Sequence, residues 1–176
     1  MSWSAPMTAV AGATFSAAQF NQYVRDNLNE TGPAKVTALG QILVSTAANA
    51  LAARTPDATV VTTSSTTAGT SYGDLAATTG PAVTQNTGTS ALVWFGCALS
   101  NSGANASRAS VVVSGASSIA ANDQWAVINT GTAVFRMMTG HRFTGLTAGS
   151  NIFTMKYDVS AGTGTFLNRE LIVIPL

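Results

Sequence analysis

A chain of 176 residues, 46% of them hydrophobic, has room for one ordinary domain with an appendage and can bury a core. Charged residues make up only 9%, against about 25% in an average globular chain, and the net charge of +1 gives no electrostatic case for nucleic-acid binding. A surface built from Ala, Thr, Ser, Asn and Gly, with so few solubilising charges, suits a protomer whose faces are covered by partners.

At the start, MSWSAPMTAVAGA, no Lys or Arg precedes the apolar stretch and Pro6 interrupts it, so no signal peptide is expected. No apolar run approaches the roughly 18 residues of a membrane span, so no membrane insertion is expected. The stretch TFSAAQFNQYVRDNLNETGP then reads as one amphipathic helix, about residues 17–30. Ser16 and Gln19 have the spacing of a capping box, and Phe15 and Phe20 that of a hydrophobic staple. Phe20, Tyr23, Val24 and Leu28 fall on one stripe, with Asn21, Gln22, Arg25, Asp26 and Asn29 opposite. Gly32 and Pro33 are placed to end it. Together with Phe15, that stripe is the candidate surface for docking on a particle or on another chain.

Lys35 to Pro56 holds a short strand candidate, Gln41 to Ser45, and an alanine-rich connection that is either ordered by other chains or a linker. Residues 1–56 therefore read as an attachment and oligomerisation region, and residues 57–176 as a β-sandwich knob. Beyond Pro56 the texture changes to alternating β-branched and polar residues. Eight strands are predicted: Thr59 to Thr63, Ala82 to Gln85, Ser90 to Leu99, Ala109 to Ser114, Gln124 to Asn129, Ala133 to Phe143, Asn151 to Val159 and Thr165 to Ile174. The fold class is mainly β, an antiparallel sandwich with the jelly roll as leading candidate, preceded by the helix and an extended arm.

Two of these strands are apolar on both faces. SALVWFGCAL and the terminal LIVI leave no polar side to face water, the mark of a subunit interface or else of strands covered by loops of the same chain, and Leu92, Trp94, Leu171 and Val173 are the candidate subunit interface. NIFTMKYDV by contrast alternates, with Phe153, Met155, Tyr157 and Val159 expected inward.

Little in the chain points to catalysis. The seven acids are scattered singly, and one His and one Cys cannot build the common zinc sets. Neither a catalytic, a metal nor a cofactor site is expected. Cys97, inside an apolar run, is expected to be a core residue, and His141 a strand residue. Trp94, Trp125, Tyr72 and Tyr157 could stack on sugars, and Arg136, Arg142 and Arg169 could bind hydroxyls or carboxylates. Of these, Trp125 and Arg142 are the candidate contacts to a host surface glycan.

The segment TFSAAQFNQYVRDNLNETGPAKVTALGQILVSTAANALAAR, with Trp3 ahead of it, resembles the N-terminal segment of minor tail and fibre-type virion proteins of bacteriophages that infect actinobacteria. The phrases carrying the likeness are the helix opening SAAQFN, its core VRDNL, and GQILVSTAANALA. TSYGDLAATTGPAVT and FTGLTAGSNIFTMKYDVSAGTGTFLNRELIVIPL resemble the terminal β-module of the same group. The resemblance implies a virion-surface structural protein, usually trimeric, with an N-terminal attachment region and an outward jelly-roll knob like those of the tumour necrosis factor class. No heptads, collagen triplets or β-helix repeats supply a shaft, so both a tail-tip or fibre position and a capsid decoration stay open. Three expectations follow from different classes: a non-enzymatic virion homotrimer bound to other virion proteins, a carbohydrate-binding adhesin, and a depolymerase, for which the chain shows no sign.

Overall fold

The computed structural model describes residues 3–8 and 10–176, so Met1, Ser2 and Ala9 of the leading stretch lie outside the described residues. The chain is mainly β, with antiparallel sheets and short N-terminal helices, and divides into Met1–Pro56 with Leu176, and Asp57–Pro175.

In the first unit the helix is interrupted. Its α-helical start, Ala17–Phe20 (α1), is closed by the capping box: Ser16 Oγ accepts from the Gln19 amide, and the Gln19 side chain accepts from the Ser16 amide at 2.9 Å. The Phe15 and Phe20 rings meet edge-on at 6.1 Å, which is the staple. A π-helical turn, Asn21–Arg25, follows, and then a short α-helical piece, Asp26–Leu28 (α2). The wider π turn shifts every later residue around the axis, so the stripe expected from regular spacing is not continuous. Asn27 takes the inward place, accepting from the Ser4 amide at 2.8 Å and donating to the carbonyls of Ser4 and Tyr23. Leu28 is left 60% exposed.

Gly32 and Pro33 do not end this helix. They open a further turn, Gly32–Lys35 (α3), where the missing amide of proline costs nothing because first-turn amides have no helical partner. The alanine-rich segment is not a connection either. Ile42–Ala47 (β1) and Ala50–Arg54 (β2) form an antiparallel hairpin, whose turn places Asn49 at φ 58°, a left-handed conformation that asparagine tolerates better than most residues. Its carbonyl accepts from the Trp3 amide at 3.2 Å, tying the leading segment to the hairpin.

The second unit is a sandwich of two antiparallel sheets. One runs Asp57–Val61 (β3), Gly164–Pro175 (β11), Ser90–Asn101 (β6), Phe135–Thr144 (β9), with Ser65–Thr67 (β4) also paired to β11. The other runs Ala82–Thr87 (β5), Gly149–Val159 (β10), Ala106–Gly115 (β7), Val127–Thr130 (β8). The chain crosses from one sheet to the other at almost every connection. β4, a run of Ser and Thr without apolar alternation, is the strand that sequence pattern missed.

Alternation builds the core. Ala91, Val93, Phe95, Cys97 and Leu99 of β6 face Val111 and Val113 of β7 and Phe153, Met155 and Tyr157 of β10, all buried. A large apolar side chain so placed contributes roughly 1.5–3 kcal/mol. In β11 the parity changes midway, because the pairing with β6 slips between Leu167 and Glu170, where Asn168 sits at φ 48°. Phe166 is therefore inward before the bulge, and Arg169, Leu171 and Val173 are inward after it. This corrects the expectation that Leu171 and Val173 form a subunit interface. Both are fully buried in the core, and Ile172 and Ile174 hold the outward positions.

Arg169 is fully buried, and among the described residues its guanidinium is held by carbonyl and hydroxyl oxygens and not by a carboxylate. Its guanidinium instead donates to the carbonyls of Thr63, Thr78 and Thr79 and to the Thr78 hydroxyl, and lies 5.7 Å from the centre of the Tyr157 ring. The side chain considered for ligand binding is thus internal, and it fastens two connecting segments to the sandwich.

Candidate functional site

The outward face of the first sheet is built by strand register. Residues paired across antiparallel strands point to the same side, so Ala58, Ile172, Trp94 and Gly140 form one row across four strands. Val60, Glu170, Gly96 and Met138 form the next, and Ile174, Leu92 and Arg142 lie on the other flank. Trp94 is only half exposed although it faces outward, because its indole lies across Gly140. A Cβ at Gly140 would fall 2.7 Å from the indole nitrogen. The result is a flat apolar surface of Leu92, Trp94, Ile172 and Ile174, continued by Val60 and Met138, which are 53% and 49% exposed. Glu170, paired with Arg136 at 3.1 Å, stands within the row between Val60 and Met138, and Arg142 borders the opposite flank.

A second apolar region lies at the edge of the sandwich. Phe135 and Met137 have inward parity on β9, yet remain exposed because β9 is an edge strand and β8, only four residues long, does not cover them. Val134 is exposed beside Phe135 in sequence, whereas Ile128, the register partner of Arg108, is exposed on the outward face of the second sheet. In the first unit, Phe15, Phe20 and Leu28 of the candidate docking stripe are exposed, while Tyr23 and Val24 are half-buried.

No protein-family model matches the chain, and no curated protein matches it significantly.

The two candidate glycan contacts are not brought together. Trp125 packs inward, stacked on His141 at 4.6 Å and edge-on to Phe143 at 5.5 Å, with its indole N–H donating to the Val111 carbonyl. Arg142 lies between those two residues on β9 and therefore points to the opposite face. Tyr157 is buried with its hydroxyl deep in the protein, and burial pushes its pKa up. Burial also pushes the Cys97 thiol up to about 12, well away from a reactive thiolate, and lowers the His141 pKa.

The outward face of the second sheet carries what sequence reasoning missed. Arg108 and Asp158 are register partners on β7 and β10, 3.3 Å apart, and Arg108 also reaches Asp123 at 3.4 Å. Tyr72 donates its hydroxyl to Asp123 at 2.6 Å, and Lys156 binds both oxygens of Asp74 at 2.8–2.9 Å. Burial raises the pKa of Tyr72, reinforced by its bond to Asp123; burial also raises that of Asp158, opposed by Arg108. These residues are dispersed along the chain, and no local motif announces them. Among the described residues no group of three His, Cys, Asp or Glu could hold a metal ion, and no helix is long and apolar enough to cross a membrane.

Proposed function

We propose that the chain is a non-enzymatic structural protein of a bacteriophage virion, a surface-exposed homotrimer whose knob is a jelly roll of the tumour necrosis factor type. The fold reading is supported by the strand order, β3-β11-β6-β9 against β5-β10-β7-β8, with repeated crossings between sheets. The observation that carries the oligomer is the flat apolar outward face of the first sheet. Isolated, it would present Leu92, Trp94, Ile172, Ile174, Val60 and Met138 to water. An apolar edge on the same knob, with Phe135 and Met137, offers a second surface unlike the first. Edge against face is a head-to-tail contact, which closes into a ring when the rotation permits.

The N-terminal unit supplies attachment to other virion proteins through Phe15, Phe20 and Leu28, at a tail tip or fibre or on the capsid. Sedimentation equilibrium of the purified chain tests the oligomer. A trimer at micromolar concentration is expected, with Ile172→Lys giving monomers of unchanged strand content; a wild-type chain that stays monomeric overturns the reading.

A further inference from the structure

We propose that the cleft on the outward face of the second sheet binds a neutral sugar residue. The cleft measures about 470 Å³ and is floored by Val112, Lys156 and Asp158. One wall is the segment Thr70 to Tyr72, held to β10 by the bridge between Gly73 and Tyr157. The other is Ala120 and Ala121, in a loop pinned to β7 where the Ser110 hydroxyl donates to the Asn122 carbonyl at 2.8 Å. The Tyr72–Asp123 bond latches the two walls together. The volume lies within the roughly 300–1,000 Å³ of small-molecule sites.

The chemistry selects the ligand class. Eight basic and seven acidic residues make fifteen charged side chains in the whole chain; two of them, Lys156 and Asp158, line this cleft, and their ion pairs bring Asp74, Arg108 and, through Arg108, Asp123 next to it. Three carboxylates against two cations leave one negative charge, and both cations are already engaged by carboxylates. Phosphate, sulfate and uronate are therefore disfavoured. A pyranose offers what the walls lack: hydroxyls that donate to the carboxylates and accept from Lys156, Thr70 and Ser71, and a C–H face for Val112, Ala120 and Ala121. Of the ion-paired residues, Lys156 and Asp158 line the cleft itself and present their polar atoms to it.

The proposal does not depend on the virion reading, since a monomer and a trimer would carry the same cleft. The test is amide NMR of the labelled full chain, titrated with the methyl glycosides of glucose, galactose, mannose and N-acetylglucosamine, and separately with glucuronate. At least one neutral glycoside is expected to give saturable shifts confined to residues 70–74, 110–112, 120–124 and 156–158, with glucuronate weaker. Asp158→Asn should raise its Kd about tenfold or more. Ala120→Trp, which fills the cleft from an exposed loop and leaves every ion pair in place, should do the same with an otherwise unchanged spectrum. Absence of saturable shifts across the panel, shifts elsewhere, tighter binding of glucuronate, or wild-type binding by Ala120→Trp would overturn it.

Discussion

At the scale of single residues, the outward face depends on one missing side chain. Gly140 lets the Trp94 indole lie flat, and a methyl group there would collide with the ring at its nitrogen and neighbouring carbon. Gly140→Ala should lower stability by about 1–3 kcal/mol, the usual cost of overpacking. Trp94→Ala should cancel most of that penalty, and a double-mutant cycle from urea melts checks it. His141 gives a residue-scale prediction for pH. Its folded pKa is lowered by burial, so the unfolded chain takes up the proton first as pH falls below the ordinary value near 6.5. Stability should therefore fall with decreasing pH through that window, until the folded state also binds the proton. The dependence should flatten in His141→Phe, read from denaturation midpoints at neutral and mildly acidic pH.

Among the elements, β11 is the one whose pattern conceals a break. Read by strict alternation, Phe166 and Leu171 cannot share a face. The bulge at Asn168 makes them do so and carries Arg169 inward as well. Replacing Arg169 by Met would strip the bonds from three backbone carbonyls, and a buried polar group without a partner costs about 1–3 kcal/mol. A loss of at least about 3 kcal/mol in urea denaturation is expected for Arg169→Met, larger than for Arg136→Met, whose ion pair is solvated. β10 was legible because NIFTMKYDV alternates without interruption, and Phe153, Met155, Tyr157 and Val159 are all buried. β2 was not, because alanine has weak strand preference and the turn at Asn49, rather than the strand itself, makes the hairpin. The π turn was equally hidden, since the VRDNL segment fits regular helical spacing. The charged cluster was invisible for another reason: Tyr72, Arg108, Asp123 and Asp158 meet only after the sheets form, and single charges separated by tens of residues carry no local signal.

For the whole molecule, the change of texture at Pro56 coincides with the division between Met1–Pro56 and Asp57–Pro175. A chain beginning at Asp57 should fold alone and melt in one cooperative transition, with the strand signal retained in circular dichroism; a broad, non-cooperative melt would show that the sandwich needs the first unit. The two units also differ in how they can be reached from an unfolded chain. The β1–β2 hairpin closes over a few residues, an event of roughly microseconds. In the sandwich, the pairing of Asp57 with Val173 spans nearly its whole length, and β6 must find β11 across four intervening strands. Non-local pairings of this kind place folding in the millisecond-to-second range. The hairpin of the first unit is thus formed while the sandwich is still open, and β11, the strand that completes the apolar face, follows every other strand of the sandwich in chain order. Because β6 precedes β11, synthesis order alone delays the complete face until Ile172 and Ile174 join Leu92 and Trp94, which keeps a full apolar face off an incomplete sandwich.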